Sequence, residues 1–245
     1  IFNAITSPMN AKLHNTISGK DSTVQTEPLV NYNILVLDQA LKGRSSLTFT
    51  NTNVMRDGAA TDANVSALDF SFFDPNNIFN VRGTARYSKI FSSDSYDGFN
   101  TTLRLAKVSG NWQYSFQGNI ESARYDPRDL GFLQAPNEVS LNSTIGYYHF
   151  KPTPNLLQYN YRLNVYYSRM YDPGAYNRSF ARATGFWIFR NFWDITLTTG
   201  FFPSDHDYFV LGDPSTYRRF VKRPSYGYIE SSGSTDSRKK LYVRY

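Results

Sequence analysis

Charged residues recur at alternate positions in several stretches of this chain. Arg82 and Arg86, Arg104, Arg162 and Arg182 stand there with Asp69, Glu121 and Asp194. In an extended backbone, side chains two apart share a face. Each stretch would therefore place its charges on one side. A charge taken out of water must be hydrated or paired, because burying it alone is costly. Two kinds of chemistry follow. The charges line a water-filled passage whose sign selects ions, or they close that passage as an ion-pair network.

Other groups offer less. The three histidines are His14, His149 and His206, and no two stand at i, i+2 or i, i+4, so the spacing supports no zinc site. His149, beside Phe150 and Lys151, reads as an interfacial side chain. His206, between Asp205 and Asp207, reads as a solvated loop tip or a weak metal or proton site. Asp94/Asp97, Asp126/Asp129 and Asp205/Asp207/Asp213 form acidic clusters without the EF-hand spacing. They suit solvated loops, or divalent bridging to lipopolysaccharide. Arg218-Arg-Phe-Val-Lys-Arg223 reads as a solvated edge or as a contact for phosphate or acidic sugar headgroups. There is no G-x-S-x-G, Walker or dinucleotide pattern. No catalytic, cofactor-binding or metal-ligating residue is assigned and no cofactor is expected, although a site assembled from distant strands needs no local motif.

The elements that must hold these charges show best in Asn111-Trp-Gln-Tyr-Ser-Phe-Gln-Gly-Asn-Ile-Glu121. Trp112, Tyr114, Phe116, Gly118 and Ile120 fall on one side and the polar residues on the other, the period of a β-strand. This run is about twice the ~5–6 residues of an average soluble strand. A tilted strand that crosses a bilayer needs ~9–11 residues. The pattern recurs from Val30 to Ser231, giving about twelve strands in up-and-down order. Partial strands stand at both ends, Ile1–Thr6 and Leu241–Tyr245. The expected fold is an all-β, antiparallel transmembrane β-barrel, a single domain over 1–245 that is incomplete at both ends and has lost its export leader.

Composition agrees. Mean hydropathy is −0.48, so no helical membrane span is indicated, while a barrel tolerates low hydropathy because its lumen is polar. Aromatics reach 17%, with 19 Tyr and 19 Phe, which suits interfacial girdles. Cysteine is absent, so hydrogen bonding and packing alone must close the fold. The net charge of +6 fits anionic headgroups, lumen ion pairs or an acidic solute. With no recognition helix in view, nucleic acid is not an expected partner.

Connections after Leu41, Phe73, Val108, Phe150, Ile188 and Ser231 read as short. Those after Thr6, Met55, Arg124 and Phe201 read as long. Short periplasmic turns and longer outside loops mark outer-membrane barrels, which places Asp57, Asp94, Asp126 and Asp205 outside the cell. The lipid side is expected to carry Trp112, Tyr114, Phe116, Tyr159, Tyr161, Trp187 and Trp193. The lumen side is expected to carry Arg82, Arg86, Arg104, Glu121, Arg162, Arg182 and Asp194. A soluble β-sandwich alternates as well; strand length, aromatics near strand ends and loop asymmetry favour the membrane.

Three stretches carry a family likeness: Thr26-Glu-Pro-Leu-Val-Asn-Tyr-Asn-Ile34, Asn51-Thr-Asn-Val-Met-Arg-Asp-Gly58 and Tyr125-Asp-Pro-Arg-Asp-Leu-Gly-Phe-Leu133. They resemble a Bacteroidetes-type family of outer-membrane β-barrels of unassigned function. In that family a module similar to family 9 carbohydrate-binding domains precedes the barrel. That module is absent here, and so are the family's first and last barrel strands. The resemblance implies location in the bacterial outer membrane and brings no catalytic residues. The expected role is a scaffold or passive channel in envelope uptake or surface processes. The expected surroundings are outer-membrane lipid and lipopolysaccharide, with other envelope proteins as further partners. A non-transporting subunit of a larger complex and an outer-membrane hydrolase are the alternatives.

Overall fold

Long alternating runs form strands only where a neighbour satisfies their backbone groups, and here almost every run finds two. The computed structural model describes residues 1–131, 133, 136–208, 210 and 219–245. The chain begins with β1 (Phe2–Thr6) and a hairpin of β2 (Met9–His14) and β3 (Asp21–Glu27). Next come β4 (Val30–Ala40), β5 (Ser46–Arg56), β6 (Asp62–Phe73), β7 (Phe79–Phe91), β8 (Tyr96–Lys107) and β9 (Trp112–Glu121). After them run β10 (Glu138–His149), β11 (Leu156–Met170), β12 (Tyr176–Phe189) and β13 (Asp194–Phe202). Two short strands, β14 (Asp205–Asp207) and β15 (Val221–Arg223), precede β16 (Tyr226–Ser234).

Among the described residues, twelve strands make one sheet, ordered β1-β4-β5-β6-β7-β8-β9-β10-β11-β12-β13-β16. Each neighbour is antiparallel to the next, as the alternation predicts. The sheet is open, with β1 at one edge. Past β16 the chain turns back, and Tyr245 and Gly233 exchange two backbone hydrogen bonds of 3.1 Å.

The turns at one end are tight for local reasons. Asp74 Oδ1 accepts the N–H groups of Ile78 and Phe79, both at 2.6 Å, and Asn77 takes a φ of 54°. Gly43 and Gly110 take φ of 75° and 83°, which only glycine adopts without strain. At the other end the connections are less uniform. The one after Met55, expected to be long, is only residues 57–61, because Asp62 accepts the Arg56 N–H at 2.6 Å and continues the pairing.

Two hairpins occupy stretches that read as loops. In β2–β3, Asn15 Oδ1 accepts the N–H groups of Ile17 and Ser18, both at 2.9 Å, and Gly19 takes a φ of 65°. Every residue of β3 is exposed, so no buried face revealed it as a strand. β14 pairs with β15, Asp205 opposite Arg223, and packs against β12.

The register assigns the two faces, because cross-strand partners lie on the same side. One row runs Leu68–Ala85–Thr101–Ile120–Val139. The adjacent row, on the other face, runs Asp69–Thr84–Thr102–Asn119–Ser140. The first belongs to an aromatic face and the second to a polar face.

Among the described residues, no central apolar core lies between layers. Burial gathers on the polar face at the long-loop end, where Val54, Ala63, Ser88, Ile90 and Asn100 are buried. Their cover is the segment after β9. It folds back over the sheet, burying Tyr125, and the Asp126 N–H donates to Ser88 Oγ at 2.9 Å. Gly98 admits this approach, since a Cβ there would lie 2.2 Å from Tyr125 N and 2.4 Å from Arg124 C. A second buried group, Met170 and Tyr208 with Ala175, forms where Tyr208, directly after β14, packs on the sheet.

Gly98→Ala must therefore displace backbone, while Gly118→Ala, with nothing within 4 Å of its Cβ, adds a methyl into open space. The first is expected to cost about 1–3 kcal/mol by overpacking, and the second to stay within about 0.5 kcal/mol. Urea unfolding of both variants checks this; equal effects would mean that the loop does not rest on Gly98.

Candidate functional site

The candidate site is the polar face, and its charges are ordered by strand register. Asp69, Thr84 and Arg86 cluster on β6 and β7. Thr84 donates to Asp69 at 2.5 Å, and Arg86 lies 3.7 Å from the same carboxylate and 3.3 Å from Asn100 Oδ1. Arg82 and Arg104 are directly opposite each other on β7 and β8. Arg162 lies opposite Thr184, and Arg182 opposite Asn164. Asp194 accepts from Ser234 across β13 and β16. Every residue expected on the lumen side thus lies on one face of the sheet.

Among the described residues, Arg82, Arg104, Arg162 and Arg182 have no carboxylate within 4.0 Å. Two like charges directly opposite are unfavourable, so this face holds uncompensated positive charge that water or an anion must offset.

At the long-loop end the charges differ. Glu121, 8% exposed, lies opposite both Asn100 and Glu138 in the register. Asn100 Nδ2 approaches Glu121 at 3.4 Å, and Tyr166 donates to Glu138 at 3.1 Å. A cavity of about 590 Å³ opens here, lined by Glu121, Glu138, Asn177, Arg178, Asp205 and Arg223. It lies between the two segments that fold over the polar face. This cavity was not foreseen, since Glu138 and Arg178 stand at strand ends, where alternation carries no signal.

The acidic loop clusters are tied by ion pairs to neighbours. Asp126 takes a bidentate pair from Arg128 at 2.8 and 2.5 Å, and Tyr96 donates to it at 2.9 Å. Those Arg128 hydrogen bonds, more than any other influence, hold the Asp126 carboxyl below its usual range. Asp129 pairs with Arg56 at the end of β5, so the segment after β9 is tethered across four strands. Asp97 faces Lys89 at 3.6 Å. Asp205 and Asp207 both face Arg223. Asp213 and Arg218 lie outside the described residues. His206 stacks on Phe220 with centroids 4.1 Å apart, His149 stacks on Tyr159 at 4.8 Å, and His14 meets Asp21 at 2.5 Å.

On the aromatic face, Trp112, Tyr147, Tyr159, Tyr161 and Trp187 form a chain of ring contacts across β9 to β12, with centroids 5.1 to 6.2 Å apart. Trp187 Nε1 donates to Tyr161 at 3.3 Å. Tyr114 and Phe116 continue the row deeper along β9, and Trp193 stands in the turn before β13. A polar inset interrupts this face on β1, β4, β5 and β6. There Asn3 donates to Asn31 at 2.6 Å and Asn33 at 2.7 Å, and Asn51 donates to Asn64 at 3.1 Å and Ser66 at 2.9 Å. No reading of single strands showed this, because the amides meet only across strands.

Residues 1–245 match the family described as a domain of unknown function, DUF5916. The chain belongs to the DUF5916 family. No curated protein and no solved structure matches it. The DUF5916 description states no activity, so the chemistry of this chain rests on the geometry above.

The depressed Asp126 carboxyl gives a signed pH dependence. A carboxyl whose folded pKa lies below the unfolded ~3.9 contributes stability above that pH. The contribution is lost as pH falls through the folded value. Asp126→Asn is expected to cost about 1–2 kcal/mol near neutrality, held low because Arg128 is 68% exposed. Urea midpoints of wild type and variant should converge as pH drops below about 4. A gap that persists at acid pH would show that the Arg128 pair does not hold the segment.

Proposed function

We propose that this sheet is the wall of a bacterial outer-membrane β-barrel. The polar face lines its interior and the aromatic face meets lipid. One observation carries the reading. Asp69, Arg82, Arg86, Arg104, Arg162, Arg182 and Glu230 are the charged residues of the large sheet with at least three strand residues on either side, and all lie on the polar face. The opposite face leaves Leu105, Phe116 and Leu163 at 48%, 45% and 46% exposure, without a second layer over them among the described residues. A soluble monomer rarely exposes contiguous apolar patches beyond a few hundred Å². A bilayer is the solvent that fits such a surface.

The aromatic rows add scale. Tyr159 and Tyr167 lie on this face eight residues apart on β11. At 3.3 Å per residue they are roughly 26 Å apart along the strand, or about 20 Å of height at the ~40° tilt of barrel strands, on the scale of the ~25 Å apolar band. Tyr167 belongs to the long-loop end, where Phe99 and Tyr171 also meet, with centroids 5.9 Å apart. Girdles at both ends are the interfacial arrangement of such barrels.

The role proposed is a passive channel with a narrowed outer mouth. The inward-folded segment after β9 supports a second reading, a non-transporting subunit of an envelope complex whose interior is closed. Lipopolysaccharide and outer-membrane lipid are the proposed surroundings, and other envelope proteins the proposed partners. A link to carbohydrate rests on the family likeness alone.

Folding into vesicles tests the faces. Phe116→Arg is expected to cost roughly 2–4 kcal/mol, as for a charge placed at mid-membrane on the lipid side. Gln117→Arg, one residue on, is expected to be tolerated. The reverse order would defeat the assignment. Planar-bilayer recordings of the full-length protein test the role. Uncompensated arginines favour anions in an open lumen. Cation selectivity would contradict the electrostatic argument, and a silent bilayer would favour the closed subunit.

A further inference from the structure

We infer that the recess between Arg162 and Arg182 binds a single oxyanion, the phosphate or carboxylate group of a small solute. The inference rests on the preceding reading only in taking the polar face as open to water.

The geometry comes from register. Arg162 faces Thr184 and Asn164 faces Arg182, so the two arginines stand on one diagonal of a cross-strand square. Diagonal neighbours are roughly 7–8 Å apart, close enough for two long side chains to converge on one group. Thr144, opposite Asn164, completes the lining. The recess has a volume of about 240 Å³, lined by Thr144, Arg162, Asn164, Arg182 and Thr184. Pockets for whole small molecules begin near ~300 Å³, so this one suits an anionic group rather than a sugar ring.

The lining is rich in donors. Asn164 Nδ2 donates to Asn142 Oδ1 at 2.6 Å, Thr144 Oγ1 at 3.1 Å and Ser143 O at 3.2 Å. Thr144 therefore accepts from Asn164, and its own proton is free to turn into the recess. Thr184 and Thr198 hydroxyls lie 3.4 Å apart and share one proton between them, leaving the other to donate. Arg182 is steadied by the Phe180 ring, 5.5 Å from its guanidinium carbon. No carboxylate of the described residues comes within 4.0 Å of either arginine, whereas Arg56 and Arg86 each have one and Arg223 has two. Two guanidiniums with hydroxyls and no acid make a set that an oxyanion neutralises and bridges, since each planar fork pairs two oxygens.

Isothermal titration of the purified full-length protein in detergent tests this, with inorganic phosphate in one arm and acetate in the other at constant ionic strength. Saturable binding of at least one anion is expected. Arg162→Gln and Arg182→Gln should each weaken it about tenfold, as expected for loss of one charge-assisted bidentate contact. Arg162→Lys, which keeps the charge but loses the fork, should fall between. Lys42→Gln, which removes a charge in a distant turn, should leave binding unchanged. Phosphate binding alone identifies a tetrahedral oxyanion as the ligand; equal acetate binding identifies oxyanions in general. No saturable binding of either anion would overturn the inference. So would binding indifferent to both glutamine variants with wild-type circular dichroism. The titration needs no conductance and no bilayer, so a failed membrane assignment leaves its outcome readable.

Discussion

The antiparallel backbone ladder is the interaction on which everything else depends. In a medium without water, each unpaired N–H or C=O costs several kcal/mol, so a chain crosses only as a helix or as strands whose ladders are complete. From β4 to β13 each strand has a neighbour on both sides, and the residue-by-residue pairing of β7, β9 and β10 is unbroken. That continuity turns a local alternation into a global one. A slip of one residue would carry Arg104 to the side of Leu105 and exchange the faces. Charge placement and hydrogen bonding are thus one constraint seen twice.

The same constraint explains where the fold can be irregular. Inside the sheet the side chains are held at alternate positions. At the long-loop end the ladder ceases, and the segment after β9 turns inward and makes its own contacts through Arg56, Tyr96, Ser88 and Gly98. Burial is therefore greatest on the polar face near that end, the reverse of a soluble domain with an apolar centre. Compensated charge collects there as well, while among the described residues Arg82, Arg104, Arg162 and Arg182 in mid-strand have no acid within 4.0 Å. The covered end of the polar face and its cationic middle arise from one difference, the presence or absence of a folded-in loop.

The antiparallel sheet was largely legible from sequence because its period is two and its strands are long. Leu103, Leu105, Tyr159, Tyr161, Arg82 and Arg162 could each be assigned a face without knowing any neighbour. The short strands β2, β3, β14 and β15 escaped, since their few residues give too little periodicity and β3 is exposed throughout. Ion pairs such as Arg56–Asp129 join residues far apart in the chain, and neither side chain announces its partner. The acidic pair Asp126/Asp129 read as a solvated loop or a divalent bridge, but both carboxylates are answered by arginines. The amide cluster of Asn3, Asn31 and Asn33 was invisible for the same reason: it exists only across strands.

The central claim is that adjacent residues of one strand face lipid and water in alternation. The chain lacks cysteine, so single cysteines at Arg104 and Leu105 of β8 can each carry a fluorophore in lipid vesicles. Quenching by brominated acyl chains and by aqueous iodide would then be compared. The account predicts that the label at 105 is quenched by brominated lipid and shielded from iodide, and that the label at 104 behaves in the opposite way. Equal quenching at both positions, or the reverse pattern, would contradict it.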